Sequence, residues 1–139
     1  MQTVMSGDGS RILDKANVKN FHIDGAGKGP DGRGSGWAWV YENTAEHRIR
    51  WVDGWTNNEA EYHGLLAVLK YVARESRLRI FTDSQLVASQ FAGKFRVNEP
   101  RLQQLLDEAK RLIEERGLEV EVKWISRREN LAGKLLDSN

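Results

Sequence analysis

Thr56-Asn57-Asn58-Glu59-Ala60-Glu61-Tyr62-His63-Gly64-Leu65-Leu66-Ala67-Val68-Leu69-Lys70-Tyr71-Val72 is where the chain passes from alternating patterns to a helical one. Thr56-x-x-Glu59 spells a capping box, in which the threonine hydroxyl accepts from the backbone at Glu59 and the Glu59 carboxylate reaches back. Glu59 thereby has a structural task. Glu61 does not: stepping three or four residues at a time from it meets Leu65, Val68, Leu69 and Val72, so this acid lies on the apolar face of the helix. A carboxylate buried there needs compensation.

Upstream of this helix, Asn20 to Gly25 reads as a strand. Trp37 to Tyr41 and His47 to Val52 read as a hairpin whose turn is supplied by Glu42 to Glu46. Downstream, Leu78 to Thr82 is a fourth strand delivering Asp83 at its end, followed by a short helix to about Phe91 and a longer one from Pro100 to Glu115, stopped by Gly117. Leu118 to Ile125 alternates as a fifth strand, and a last short helix covers Asn130 to Leu136. The order βββαβααβα predicts an α/β fold with a mixed five-stranded sheet flanked by helices. Residues 1–19 are polar and weakly patterned and read as a loosely ordered leader before a single domain over 20–139.

Composition narrows the chemistry. At 139 residues, 40% hydrophobic and 29% charged, the chain suits one compact domain, and with no cysteine it has no disulfides and no thiolate metal site. The histidines, His22, His47 and His63, form no H-x-x-x-H pair and sit where packing explains them, so a metal would be held by oxygen ligands and would be a hard cation. No stretch has the roughly 18 apolar residues of a membrane span, which makes the cytoplasm the default expectation and a membrane partner an unexpected one. No obligate protein partner is evident. A net charge of +1 leaves the nature of the partner open.

Two further acids share the anomaly of Glu61: Asp24 and Asp83 end runs of branched and aromatic residues. Across about Asn20 to Leu136 the chain resembles the type 1 ribonuclease H family, because Ile23-Asp24-Gly25, Thr56-Asn57-Asn58-x-Ala60-Glu61 and Thr82-Asp83-Ser84-Gln85 stand in that family's order and spacing. The resemblance implies a ribonuclease H-like fold and an endoribonuclease that cuts the RNA strand of an RNA–DNA hybrid, leaving 3′-hydroxyl and 5′-phosphate ends. It implies two Mg²⁺ ions, with Mn²⁺ as a substitute, held by Asp24, Glu61 and Asp83. It also implies that Gly25, Asn57, Asn58, Ser84 and Gln85 face the hybrid's minor groove, and that Thr56 meets a phosphate of the DNA strand.

The chain departs from the family at the fourth carboxylate, usually the Asp of an Asn-x-x-Ala-Asp helix start, where it reads Arg127-Arg128-Glu129-Asn130-Leu131-Ala132-Gly133-Lys134-Leu135-Leu136-Asp137. If Ala132-Gly133 matches Ala-Asp, the ligand is lost to water. If the helix starts earlier, Asn130 fills the corner and its amide oxygen coordinates, which is the expectation adopted. Asp137, about 10 Å further along a helix, is not expected to share that corner. The basic helical protrusion frequent in the family is reduced to the loop Gly93 to Glu99, leaving Lys94, Arg96, Arg127 and Arg128 as phosphate contacts.

Other readings compete less well. Gly27-Lys28-Gly29-Pro30-Asp31-Gly32 spells G-x-G-x-x-G but leads into a tryptophan-rich strand rather than a helix. The tryptophans Trp37, Trp39, Trp51, Trp55 and Trp124 alternate as core residues do more than as a base-stacking platform. A strand-transferring recombinase core would carry the same acids without the Thr56-Asn57-Asn58 signature. The principal alternative is a catalytically weak or inactive nucleic-acid binding module of the same fold.

Overall fold

The structure, a computed structural model, describes residues 17–27 and 34–139. The expected leader lies almost wholly outside the described residues, as does most of the glycine-rich loop after the first strand. Five strands, β1 (Val18–Ala26), β2 (Ser35–Tyr41), β3 (His47–Val52), β4 (Arg77–Thr82) and β5 (Glu119–Trp124), form one sheet in the order β3-β2-β1-β4-β5. The hairpin half is antiparallel, while β1–β4 and β4–β5 are parallel. Helices α1 (Asn57–Tyr71), α2 (Gln85–Phe91), α3 (Pro100–Arg116) and α4 (Leu131–Asp137) complete the expected order, with a short 3₁₀ turn at Arg127–Glu129 that the periodicity did not announce. No helix among the described residues is long and apolar enough to cross a membrane.

The amphipathic patterns assign the layers. Phe21, Ile23, Trp37 and Trp39 point from β1 and β2 into a core with Leu65, Val68 and Leu69 of α1 and Leu102, Leu105, Leu106 and Ile113 of α3. On the opposite sheet face a smaller cluster joins Ala38 and Val40 to Ala132 and Leu136 of α4. Trp37 and Trp39 are buried as their alternation implied, whereas Trp124 is exposed and its indole Nε1 donates to the Asp83 carbonyl at 3.1 Å.

Two local features position the acids. The capping box is present: Glu59 N donates to Thr56 Oγ1 at 3.2 Å and Thr56 N to Glu59 Oε1 at 2.9 Å, which fixes where α1 begins and hence where Glu61 lies. Parallel pairing of β1 with β4 sets His22 opposite Phe81, which brings the chain ends carrying Asp24 and Asp83 out of adjacent strands at nearly the same height.

Candidate active site

Glu61 enters the site because α1 starts against the end of β1. A Cβ on Gly25 would stand 2.3 Å from Glu61 N and 2.4 Å from the Ala60 carbonyl carbon, so only glycine lets the helix backbone approach this closely. The buried Glu61 carboxylate then accepts from Gly25 N through Oε1 and from the Thr82 hydroxyl through Oε2, both at 2.7 Å. Thr82 also accepts from Ser84 N at 3.0 Å, linking the β4 end to the start of α2. Its role was not assigned from the sequence, although a polar residue ending an apolar strand beside Asp83 was the available signal.

Asp24, 2% exposed, turns Oδ2 toward Arg127 Nη1 at 3.0 Å, and the same nitrogen lies 3.0 Å from Asp83 Oδ2. The electrostatics arise from burial. Desolvation raises the Asp24 pKa to about 6 against the pull of Arg127, with Asp83 and Asp137 adding to the rise. Glu61 is held well above the ordinary carboxylate range, first by burial and next by the charge of Asp24. These are acids short of positive charge, and such groups in a cleft are functional-site candidates.

An open cleft of about 360 Å³ is lined by Asp24, Gly25, Asn57, Asn58, Glu61, Asp83, Ser84 and Arg127, among others. Most of the residues selected from the sequence are therefore brought together. Thr56 and Gln85 stand exposed at the ends of α1 and α2, outside that lining, and Asn57 Oδ1 is engaged by Gly27 N.

Asn130 departs from the expected role of ligand. Fully buried, it caps α4: its Oδ1 accepts from Ala132 N at 3.0 Å and Gly133 N at 3.2 Å, while Nδ2 donates to Ile23 O at 2.9 Å and Asp83 Oδ2 at 3.2 Å. The helix takes the oxygen, and Asp83 is offered a hydrogen. His22 completes the junction, with Leu131 N donating to its Nδ1 at 3.1 Å and its Nε2 lying 2.9 Å from Glu42 Oε1. Residue 133 also faces the acids from α4: a Cβ on Gly133 would stand 3.5 Å from Asp24 Oδ2. Asp137 is also nearer than its distance along the helix suggested, since both of its carboxylate oxygens lie 3.0 Å from Arg127 Nη2.

Asn130→Asp is consequently expected to destabilise the protein in EDTA by about 3 kcal/mol, since it sets a carboxylate against Asp83 and the Ile23 carbonyl. Divalent cations should recover part of that loss. Denaturant unfolding with and without Mg²⁺ measures both, and an unchanged midpoint in EDTA would show that Nδ2 contributes nothing.

The donor set of Asp24, Glu61 and Asp83 is oxygen-only and electrostatically under-compensated, which suits Mg²⁺ or Mn²⁺ in kind. Among the described residues no acid or histidine cluster is already drawn together as a ligand shell. Arg127 contacts Oδ2 of both aspartates, the Asn130 amide donates to Asp83 Oδ2, and Gly25 and Thr82 engage Glu61.

Comparison with known proteins agrees with this fold. The family model described as reverse transcriptase-like matches residues 22–136. The N-terminal RNase H domain of a Mycobacterium tuberculosis protein is 25% identical with a TM-score of 0.66, covering 86% of this chain and 95% of that one. LC11-RNase H1, solved in complex with RNA/DNA hybrid, is 25% identical with a TM-score of 0.70, covering 85% and 92%. RNase H1 from the halophilic archaeon Halobacterium salinarum is 25% identical with a TM-score of 0.67, covering 88% and 99%. No curated protein sequence matches the chain.

Proposed function

Because the chain belongs to the ribonuclease H-like family matched by the reverse transcriptase-like model, we propose that it is a divalent-metal-dependent endoribonuclease acting on the RNA strand of RNA–DNA hybrids. The observation that carries this reading is the convergence of Asp24, Glu61 and Asp83 on one cleft whose rim bears Asn57, Asn58 and Ser84. A solved relative with RNA/DNA hybrid bound supports the substrate class.

Asp24 and Asp83 are the groups that would hold cations, with Glu61 behind them fixed by Gly25 and Thr82. When bound, two Mg²⁺ ions, or Mn²⁺ in their place, supply positive charge on both sides of an in-line displacement at phosphorus. The protein's share is orientation. Gly25 N and the Thr82 hydroxyl anchor the Glu61 carboxylate, and the Asn58 amide and Ser84 hydroxyl, on the cleft lining, are the groups assigned to reading a 2′-hydroxyl in a shallow minor groove. Only residues 92–99 separate α2 from α3, so hybrid affinity rests on this rim and on scattered basic residues such as Lys94, Arg96 and Arg128.

The test is incubation with end-labelled RNA–DNA hybrid, double-stranded DNA and double-stranded RNA, in Mg²⁺, Mn²⁺ or EDTA. Cleavage of the hybrid's RNA strand alone, leaving 3′-hydroxyl and 5′-phosphate ends and stopping in EDTA, is expected. Hybrid binding without cleavage in either metal would instead establish the binding-module reading, which glycine at position 133 favours.

A further inference from the structure

Arg127 was read from the sequence as a phosphate contact; in the fold its half-exposed side chain lays the guanidinium against the acids. The 3₁₀ turn after β5 aims its guanidinium at the acids. Nη1 lies 3.0 Å from Oδ2 of both Asp24 and Asp83, and Nη2 lies 3.0 Å from each oxygen of Asp137. The planar fork spans two acidic groupings at once, a geometry an ammonium cannot copy.

The seat depends on α4. A Cβ on Gly133 would come within 3.1 Å of Arg127 Nη1 and 3.2 Å of Cζ, so any side chain there would press on the guanidinium. Glycine inside a helix lowers its stability, and here its smallness makes the room. Asp24, whose side chain is 3% exposed, finds in Arg127 a full positive charge, and the Asn130 amide adds only a neutral hydrogen bond to Asp83.

We propose that the Arg127 guanidinium is the resident counter-cation of this site, holding Asp24 and Asp83 together in the absence of metal, and that a divalent ion engaging both aspartates has to displace it. The Gly133 opening accommodates it and Asp137 steadies it. The metal-free site is therefore partly compensated by the protein itself, and its affinity for divalent ions is lowered. The inference rests on the cation-binding part of the proposed function and is independent of which nucleic acid is cut.

The experiment is Mn²⁺ titration by calorimetry without nucleic acid, alongside thermal unfolding in EDTA, on wild type, Arg127→Gln, Arg127→Lys and Gly133→Ala. Arg127→Gln keeps the bulk and loses the charge, so its Kd for Mn²⁺ should tighten by about tenfold or more. Its Tm in EDTA should fall by several degrees, with saturating Mn²⁺ closing the gap. Arg127→Lys should lie between, because it keeps the charge and loses the fork, and Gly133→Ala should tighten Mn²⁺ binding by pressing on the guanidinium. Equal Mn²⁺ affinity in wild type and Arg127→Gln would overturn this proposal and leave the cation-site reading standing. Failure of every protein to bind Mn²⁺ would overturn both.

Discussion

Glu61→Gln is expected to lower hybrid cleavage by at least about a thousandfold, roughly 4 kcal/mol of barrier, while the protein remains folded. The amide is nearly isosteric and can keep both anchors, its oxygen accepting from Gly25 N and its nitrogen donating to Thr82 Oγ1, the partners of the wild-type carboxylate. What it removes is negative charge at the point where the proposed function needs it. Stability supplies a second readout with a defined sign. Burial, followed by repulsion from Asp24, holds the Glu61 pKa well above the ordinary 4.5, so the folded state binds this proton more tightly than the unfolded chain does. The group's stabilising effect is fully present below its unfolded pKa and is lost as pH rises through the folded value. In EDTA the stability difference should thus shift toward the variant as pH rises above the ordinary glutamate value of 4.5. Activity within tenfold of wild type, or a stability difference flat with pH, would contradict the placement of Glu61.

Gly25→Ala should be the most damaging alanine substitution among the described glycines, costing about 3 kcal/mol or more. The added methyl would meet Glu61 N at 2.3 Å, the Ala60 carbonyl carbon at 2.4 Å and the Ala60 oxygen at 2.8 Å. All of these are backbone atoms of the first turns of α1, so no side chain can swing aside, and relief requires lifting the helix from β1. That motion would also break the Gly25 N–Glu61 bond. Thermal unfolding should show the loss as a Tm drop on the order of 10 °C, with hybrid cleavage lost as well. A variant with wild-type Tm would mean that α1 does not need this approach.

The elements were legible because each leaves a periodic trace. Leu65, Val68, Leu69 and Val72 recur at helical spacing, Arg48, Arg50 and their neighbours alternate as a strand, and Thr56-x-x-Glu59 closes a cap within a single turn. Glu61 was recognisable as the unexplained acid because the helical period alone places it among those apolar residues. Boundaries moved by a residue or two, and the 3₁₀ turn at Arg127–Glu129 was not foreseen, since three residues are too few to carry a period.

Asn130 and Arg127 show where such reading stops. An amide at a helix start has both an acceptor and a donor, and the sequence cannot tell which of them the helix takes. Here the N-terminal N–H groups of Ala132 and Gly133 claim the oxygen. An arginine beside another arginine has the signature of a solvated phosphate contact. That it lies among acids separated from it by 103 and 44 residues is decided only by the packing of α4 against β1 and β2 and by the parallel pairing of β1 with β4.

By itself, then, the sequence determined the order of strands and helices, the identity of the acids that burial makes anomalous, and the all-oxygen character of that donor set, because periodicity and side-chain chemistry are local properties. The tertiary structure alone decided that Gly133 leaves room beside Asp24, that Asn130 caps the helix, that Thr82 anchors Glu61, and that Arg127 bridges Asp24 and Asp83. Those outcomes depend on angstrom-scale distances between segments remote in the chain, where one missing Cβ makes room for a guanidinium that no local pattern encodes.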